Sequence, residues 1–457
     1  MSKPELLPLA EFIANCKVPR ADMPMRSRVR TTLLDWGSAA LAGTGHALAA
    51  RYRTAFLGRG ETGTCSAIGS DVQHPLTAAA MTNAAISHLW EVDDAHRDAT
   101  THPGITVIPP VLALAEARGL DTAMGAAAIV AGYETVLRIG SHLGAAHYKV
   151  NHSTATCGTM GAAAAAARAL GLNTERTLWA LGHAGTQAAG LWAFLDDNMG
   201  SAKAFHAALA VRNGIDAALL AEAGIPGAPY ILEGPRGMRS AWGLNRCDPS
   251  WLIPGKTPMI HSVTVKGWPV CGQIHSALDC ATALATAYPE LAVSNSPVTV
   301  HLPENAMAIA GFHAPSSVSD AKFSASFCIA SVLCGQPPTM TGLTEALVQN
   351  PRVQERARSI TVLADPGYTA RFPKERPARV TLHGPDGDHS ETRSYRRGDP
   401  EEPWNDADMD QRTREVLGLT HLATDATRLT AWADAFADQS PEWRATELFD
   451  CLTGAPG

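Results

Sequence analysis

The sequence predicts a mainly α protein: a helical bundle domain, residues 1–262 and 396–457, with a smaller α+β lid domain, residues 263–395, inserted into it. Three observations carry this expectation. Up to about residue 260 the chain is rich in Ala and Leu at helical spacing, and β-branched runs are few and short. Beyond that point short β-branched runs alternate with helical stretches, the pattern of an α+β domain. From about residue 408 to 436 the helical texture returns, with Leu422, Leu429, Trp432 and Phe436 spaced for one face. Such a tail is expected to pack back on the first domain, which makes the α+β part an insertion.

Within the first domain a helix is expected over about residues 25–42, where Leu33, Leu34, Trp36, Ala40 and Leu41 recur at intervals suited to one buried face. A second is expected over about 158–170, where the six consecutive alanines from Ala162 to Ala167 combine the highest helix propensity with almost no side-chain bulk. Neighbours can approach such a helix closely on every side, so it belongs at the centre of the bundle. The segment Gly171-Leu-Asn-Thr-Glu175 supplies a stop and a new start, and 177–195 reads as the next buried helix. In the α+β part strands are expected at 298–301, 359–363 and 378–383, with helical stretches near 272–288, 320–334 and 340–357. Gly384-Pro-Asp-Gly387 marks a hairpin into a further strand at 390–395.

Composition narrows the function. With 457 residues, 46% hydrophobic and 18% charged, the chain suits a globular protein with a large core. A formal charge of −7 with no Lys/Arg block argues against nucleic acid as a partner. No window reaches the roughly 18 apolar residues needed to span a bilayer, and the N-terminal residues lack a basic stretch followed by an apolar run, so a cytoplasmic protein away from membranes is expected. The nine cysteines include no Cys-x-x-Cys pair, which suggests neither a disulfide framework nor a zinc ribbon.

The densest polar cluster is Glu91-Val-Asp93-Asp94-Ala-His96-Arg97-Asp98-Ala-Thr-Thr-His102-Pro-Gly104, set between apolar flanks. Buried charge without a partner is too costly, so these side chains must pair with one another, with a metal or with a ligand. Pro103-Gly104 starts a helix, placing His102 near an N-terminus suited to a carboxylate. Lysine is scarce, eight against 29 arginines, so a Lys in apolar surroundings calls for a reason. Lys203 opens an Ala-rich helix, and Lys266 sits among Val265, Trp268 and Val270. A point charge on a flexible stem is apt for gripping a carboxylate. His152 precedes the Ala-rich helix, whose Ser/Thr residues read as caps, and His275 follows Cys271 by four residues. Cys157 and Cys271 lack the surroundings of a thiol nucleophile. The match of Gly58-Arg-Gly60-Glu-Thr-Gly63 to a dinucleotide fingerprint is weak, because no strand precedes it and no helix follows.

Assembled, these residues resemble the MmgE/PrpD family, which includes 2-methylcitrate dehydratase, cis-aconitate decarboxylase and iminodisuccinate epimerase. The resemblance runs over nearly the whole length. It is carried by Leu33-Leu-Asp-Trp-Gly-Ser-Ala-Ala-Leu-Ala-Gly43, by Asp93-Asp94 with Thr101-His-Pro-Gly104, by His152 through Gly158 to Leu172, and by Lys203-Ala-Phe-His206 with Gly214. Ile231-Leu-Glu-Gly234, Lys266 through Cys271 to His275, and Ala321-Lys-Phe-Ser324 complete it. It implies a helical domain with a smaller α+β lid, a homodimer, and no cofactor. By motif, His102, His152, Lys203 and Lys266 fall where decarboxylase-like members have active-site residues, with Glu91 in place of a common Asp. Ala95 stands where Thr is frequent and Phe327 near a frequent Tyr, and the Thr-His-Pro-Gly loop is closer to the epimerase and decarboxylase branch than to the dehydratases.

The function implied is a lyase or isomerase that moves a proton next to a carboxylate of a small di- or tricarboxylate. His102 and His152 are expected to transfer protons, Lys203 and Lys266 to grip carboxylates, Glu91 to orient a histidine, and Asp93 and His275 to contact substrate. All five of the first group are expected in one cleft between the two domains. A 2-methylcitrate dehydratase-type hydro-lyase is an alternative within the family. Outside it stand a metal-dependent hydrolase with Asp93, Asp94, His96 and His102 as ligands, and a binding protein that keeps the pocket without turnover.

Overall fold

The structure, a computed structural model, describes residues 3–58, 60–196, 202–244, 246–311, 315–372, 374–420 and 423–451; Leu422 of the expected tail face lies outside them. Helix accounts for 57% and strand for 9%, so the fold is mainly α. The chain divides into two compact units, Met1–Val263 with Leu419–Gly457, and Thr264–Gly418. The second boundary lies beyond the residue 395 read from sequence, and the reason is local. Trp404 Nε1 donates to the Val265 carbonyl at 2.9 Å, and Arg412 Nε donates to that of Lys266 at 2.6 Å, tying residues 396–418 to the start of the second unit.

In the first unit α1 (Met23–Gly43) starts where Asp22 accepts from the Met25 amide at 3.1 Å with Pro24 in the first turn, and it buries Leu33, Leu34, Trp36, Ala40 and Leu41. The bundle continues with α2 (Leu76–Ser87), α3 (Gly104–Arg118), α4 (Thr122–Tyr148), α5 (Ser153–Ala169), α6 (Thr174–Gln187) and α7 (Lys203–Glu222). The alanine-rich α5 packs on α3, α4, α6 and α7, and every residue from 153 to 167 is buried. Its small side chains bring backbones together. A Cβ added at Gly214 of α7 would sit 2.4 Å from Ala162 Cβ and 2.7 Å from the Ala163 amide nitrogen. The C-terminal helix Ala426–Ala437 buries Leu429, Trp432 and Phe436 and packs on α1.

The helix expected over 177–195 is shorter. It ends at Gln187, Ala188 turns extended (ψ 109°), and Gly190 takes φ 151°, a conformation L residues rarely adopt. The chain then runs beside residues 150–152: the His152 amide donates to the Gly190 carbonyl at 2.9 Å, and the Trp192 amide donates to that of Val150 at 3.1 Å. Apolar spacing alone gave no hint of this break.

The second unit is built on a four-stranded sheet. Strand β1 (Val298–Leu302) pairs in parallel with β2 (Ile360–Ala364) and antiparallel with β3 (Ala378–Gly384), which pairs with β4 (Gly387–Arg393), giving the order β2-β1-β3-β4. The hairpin closes on the Gly384–Gly387 pair, with Gly387 at φ 125°. Helix α8 (His275–Ala287) lies on β3 and β4, and α9 (Ala325–Leu333) packs on α8 and on α10 (Pro351–Arg358). Two expected helices are divided by caps: Ser324 accepts from the Phe327 amide, and Asn350 accepts from the amides of Arg352 and Val353 just before Pro351 would otherwise interrupt. Phe327 is fully buried in this unit's apolar core with Val298, Val300 and Leu382. No helix among the described residues is long and apolar enough to cross a membrane.

Candidate functional site

The loop from residue 88 to 103 joins α2 to α3, and the site grows from it. His88 is the C-cap of α2. Two of the three non-glycine residues with positive φ among those described, Glu91 (56°) and Thr100 (49°), lie in this loop. Each such residue costs of order 1–3 kcal/mol, which the surrounding contacts must offset. The loop is pinned internally by the His96 amide donating to the Thr101 carbonyl at 2.9 Å and by the Ala99 amide donating to His96 Nδ1 at 3.0 Å.

The two adjacent acids of the loop have different partners. Asp93 lies between two imidazoles, 3.0 Å from His88 Nδ1 and 3.0 Å from His102 Nδ1. Burial alone would raise its pKa, but His88 and then His102 hold the carboxyl well below the usual range, so it is an anion and an acceptor. Asp94 turns away. Its carboxyl accepts from the Gly104 amide at 2.9 Å and from Tyr133 Oη at 2.7 Å, and its amide donates to Asp35 Oδ2 at 2.8 Å. The N-terminus of α3 therefore holds a carboxyl group of this chain itself. Burial, then the charge of Asp35, pushes Asp94 up to about 8.

That shift sets a pH dependence. In the unfolded chain Asp94 ionises near pH ~4, while in the folded chain it holds its proton to about pH 8, so the folded state binds the extra proton between these values and stability falls as pH rises through them. Asp94→Asn can keep the Gly104 contact at Oδ1 and reverse the Tyr133 contact, with Nδ2 donating to Tyr133 Oη, without an ionisable group. Denaturant unfolding at about pH 5 and about pH 9 is expected to show the variant gaining on the native chain at the higher pH; a difference that stays constant would contradict the assignment.

His102 is fixed through its backbone, whose amide donates to Thr154 Oγ1 on α5 at 3.1 Å. Its Nδ1 also lies 2.8 Å from the Asp94 carbonyl oxygen, which can only accept, so Nδ1 carries the hydrogen. His152, the N-cap residue of α5, meets His206 of α7 with Nδ1 atoms 3.0 Å apart, so one donates and the other accepts. The Ser/Thr residues after His152 lie inside the helix; none of their side chains caps its start. Burial, then the positive charge of Lys203, holds His152 well below its ordinary pKa, and burial, then His88, pushes His206 down to about 4. Both are neutral at neutral pH.

The rings form a contiguous row. Centroids are 4.9 Å apart for His88 and His102, 6.4 Å for His88 and His152, and 5.3 Å for His152 and His206, with Trp192 4.4 Å from His152. Lys203 Nζ lies 3.0 Å from Glu91 Oε2. Burial works against the ammonium charge, but Glu91 and Asp93 raise the Lys203 pKa above its ordinary value, so it is a cation. Glu91 therefore pairs with the lysine, and Asp93 is the acid in contact with two histidines.

The structure thus gathers Glu91, Asp93, His102, His152 and Lys203 in the first unit. Lys266 and His275 belong to the second. Lys266 is 9% exposed, and its carbonyl accepts from Arg412. His275 begins α8 with its Nε2 3.0 Å from the Val270 carbonyl, and burial, then Arg396, pushes its pKa down to about 3. Sequence reasoning missed His88, His206 and Trp192 as members of the cluster. The i, i+3 spacing of Lys203 and His206 on one helix was a usable signal; Trp192 depends on the break at Gly190, which was not.

Of the four residues read as metal ligands, Asp94 and His96 are engaged elsewhere, His96 Nε2 with Ser262 Oγ at 2.9 Å. Among the described residues the set with donor atoms close enough to share an ion is His88, Asp93 and His102, all within 4.8 Å of one another. The thiols of Cys157 and Cys271 are raised by burial, Cys157 to about 12, which disfavours a nucleophilic role for either.

Fold and site together describe an α-helical protein with a buried row of imidazoles around one carboxylate and beside one lysine. The chain belongs to the MmgE/PrpD family: the MmgE/PrpD N-terminal domain matches residues 8–245 and the MmgE/PrpD C-terminal domain residues 268–434. Cis-aconitate decarboxylase of Aspergillus terreus is 29% identical over 282 residues, 58% of this chain and 56% of that protein. Cis-aconitate decarboxylase-like protein oryM of Aspergillus oryzae is 35% identical over 183 residues, 37% of each chain. Cis-aconitate decarboxylase of Homo sapiens is 30% identical over 175 residues, 36% of this chain and 34% of that protein. The chain therefore spans about half or less of the length of these relatives.

Proposed function

We propose that this chain is a lyase or isomerase that moves a proton beside a carboxylate of a small di- or tricarboxylate, with decarboxylation of cis-aconitate as the first reaction to test. One observation carries the reading: His88 and His102 share the buried Asp93, beside the neutral His152 and the cation Lys203. Loss of CO2, epimerisation and dehydration next to a carboxylate all pass through developing negative charge. Lys203 is suited to hold the substrate carboxylate, and preorganised donors aimed at such charge supply a large share of catalysis. A neutral His152 can accept a proton at pH 7, and His102, its Nδ1 fixed, can exchange one at Nε2; each such group contributes about 10² to 10⁴ in rate. The names of the relatives and the Thr101-His-Pro-Gly104 form of the loop favour decarboxylation or epimerisation over dehydration.

The test is incubation in D2O with cis-aconitate, 2-methylcitrate and iminodisuccinate, followed by NMR. Release of CO2 with deuterium entering the product is the expected result with cis-aconitate. Exchange without CO2 loss would assign an epimerase, and a new alkene a dehydratase. A folded protein that changes none of the three would overturn the proposal. Turnover is expected to survive dialysis against EDTA; activity lost to the chelator and restored by one divalent ion would point instead to the donor set His88, Asp93 and His102.

A further inference from the structure

His88 has no part in the chemistry so far described, yet it occupies the middle of the ring row and is 2% exposed. Its Nδ1 lies 3.0 and 3.1 Å from the two oxygens of Asp93. Because Asp93 is an anion and can only accept, His88 Nδ1 carries a hydrogen and donates it. The opposite nitrogen, Nε2, is buried with no hydrogen-bond partner among the described residues. An unsatisfied buried nitrogen is a penalty that an apolar side chain of similar size would avoid, so packing alone does not account for a histidine here.

We propose that His88 is a positioning residue, which clamps Asp93 through Nδ1 so that the carboxylate accepts from His102 Nδ1 and leaves His102 Nε2 as the proton-exchanging nitrogen. The backbone supports this role. His88 is held at the end of α2, whereas Asp93 and His102 sit on a loop with two residues in left-handed conformation. The helix end thus transmits a fixed reference to the loop. Asp93 is 1% exposed, so water cannot supply the missing donor if His88 is replaced. Without the clamp, Asp93 can rotate away from His102, and the Asp94 carbonyl alone, 2.8 Å from His102 Nδ1, is left to select the tautomer. The inference rests on the proposed proton transfer by His102, and its test separates the two.

Full-length protein labelled with 15N-histidine would be compared with His88→Asn and His88→Leu. The asparagine Nδ2 occupies nearly the place of His Nδ1 and can donate to Asp93; leucine cannot donate. The first readout needs no substrate: two-bond 15N–1H correlation spectra, with the His102 signals assigned by their loss in His102→Gln. The native protein and His88→Asn are expected to show His102 as the Nδ1–H tautomer, and His88→Leu a mixture. The second readout is kinetics with cis-aconitate, where His88→Leu should lower kcat roughly 10-fold or more with KM little changed, and His88→Asn should recover most of that loss. If His88→Leu does not fold, His88→Met, which is likewise unable to donate an N–H, replaces it. A donor-less variant with the native tautomer, or His88→Asn as impaired as His88→Leu, would overturn the role. If the native protein does not turn over cis-aconitate, the substrate assignment fails while the tautomer comparison still decides the clamp.

Discussion

Replacing His102 or Lys203 by alanine is expected to lower turnover of an identified substrate by roughly 10²-fold or more while leaving the fold intact. The expectation of an intact fold follows from how each residue is held. Lys203 pairs with Glu91, whose side chain is 48% exposed, so the ion pair contributes no more than about 1 kcal/mol to stability. The glutamate left behind is solvated. For His102 the anchoring bond to Thr154 comes from the backbone amide and survives the substitution. Turnover depends on other terms. Lys203 is a cation beside the neutral His152 and His206, placed to offer a positive charge to a substrate carboxylate. Lys3→Ala, at an exposed position in the N-terminal segment, should change nothing. Near-native kcat/KM in Lys203→Ala would remove the lysine from the site.

Gly214→Val is expected to destabilise the first unit by about 1–3 kcal/mol, the cost of overpacking a tight core. A Cβ at this position would meet Ala162 Cβ at 2.4 Å, the Ala163 nitrogen at 2.7 Å and the Ala162 carbonyl carbon at 2.8 Å. Two of these three are backbone atoms of α5, which cannot rotate out of the way, so α5 and α7 would have to separate. Gly255→Ala is the control, because the nearest atom to its added Cβ is Arg138 Nη2 at 3.7 Å. Denaturant unfolding of the two variants against the native chain would measure the difference. Equal midpoints would mean that the close approach of α5 and α7 is not needed.

The sequence made the central helix legible because alanine leaves only one use for such a run: close packing on all sides. The strands and the hairpin at Gly384 and Gly387 were legible because β-branched runs stood out from an Ala-rich background. The tail was only partly so. Asp406–Leu417 and Ala426–Ala437 look alike as helices, and what divides them between units is a pair of bonds to the carbonyls of Val265 and Lys266, which no local pattern encodes. In the site, the loop was found by the cost of burying its charges, and five of the expected residues, Glu91, Asp93, His102, His152 and Lys203, lie together in the first unit. That argument could not say which acid faces which base. Asp93 and Asp94 are adjacent and chemically identical, yet one binds imidazoles and the other a helix N-terminus and a tyrosine. The same argument ranked His88 no higher than any other histidine, because its meaning comes from Asp93 folding back on the end of α2.

The burial of α5 also bears on how the molecule opens. Residues 153 to 167 have no route to solvent except by parting α5 from the helices packed on it, and the alanines from 162 to 167 offer no rotamer motion that could loosen the packing locally. Small fluctuations therefore cannot expose these amides one at a time. In hydrogen–deuterium exchange they should form a single block that exchanges last, at a rate set by global unfolding of the first unit, while the loop around Glu91 exchanges far sooner. The alanine helix would then serve as an internal clock for unfolding, read without any mutation.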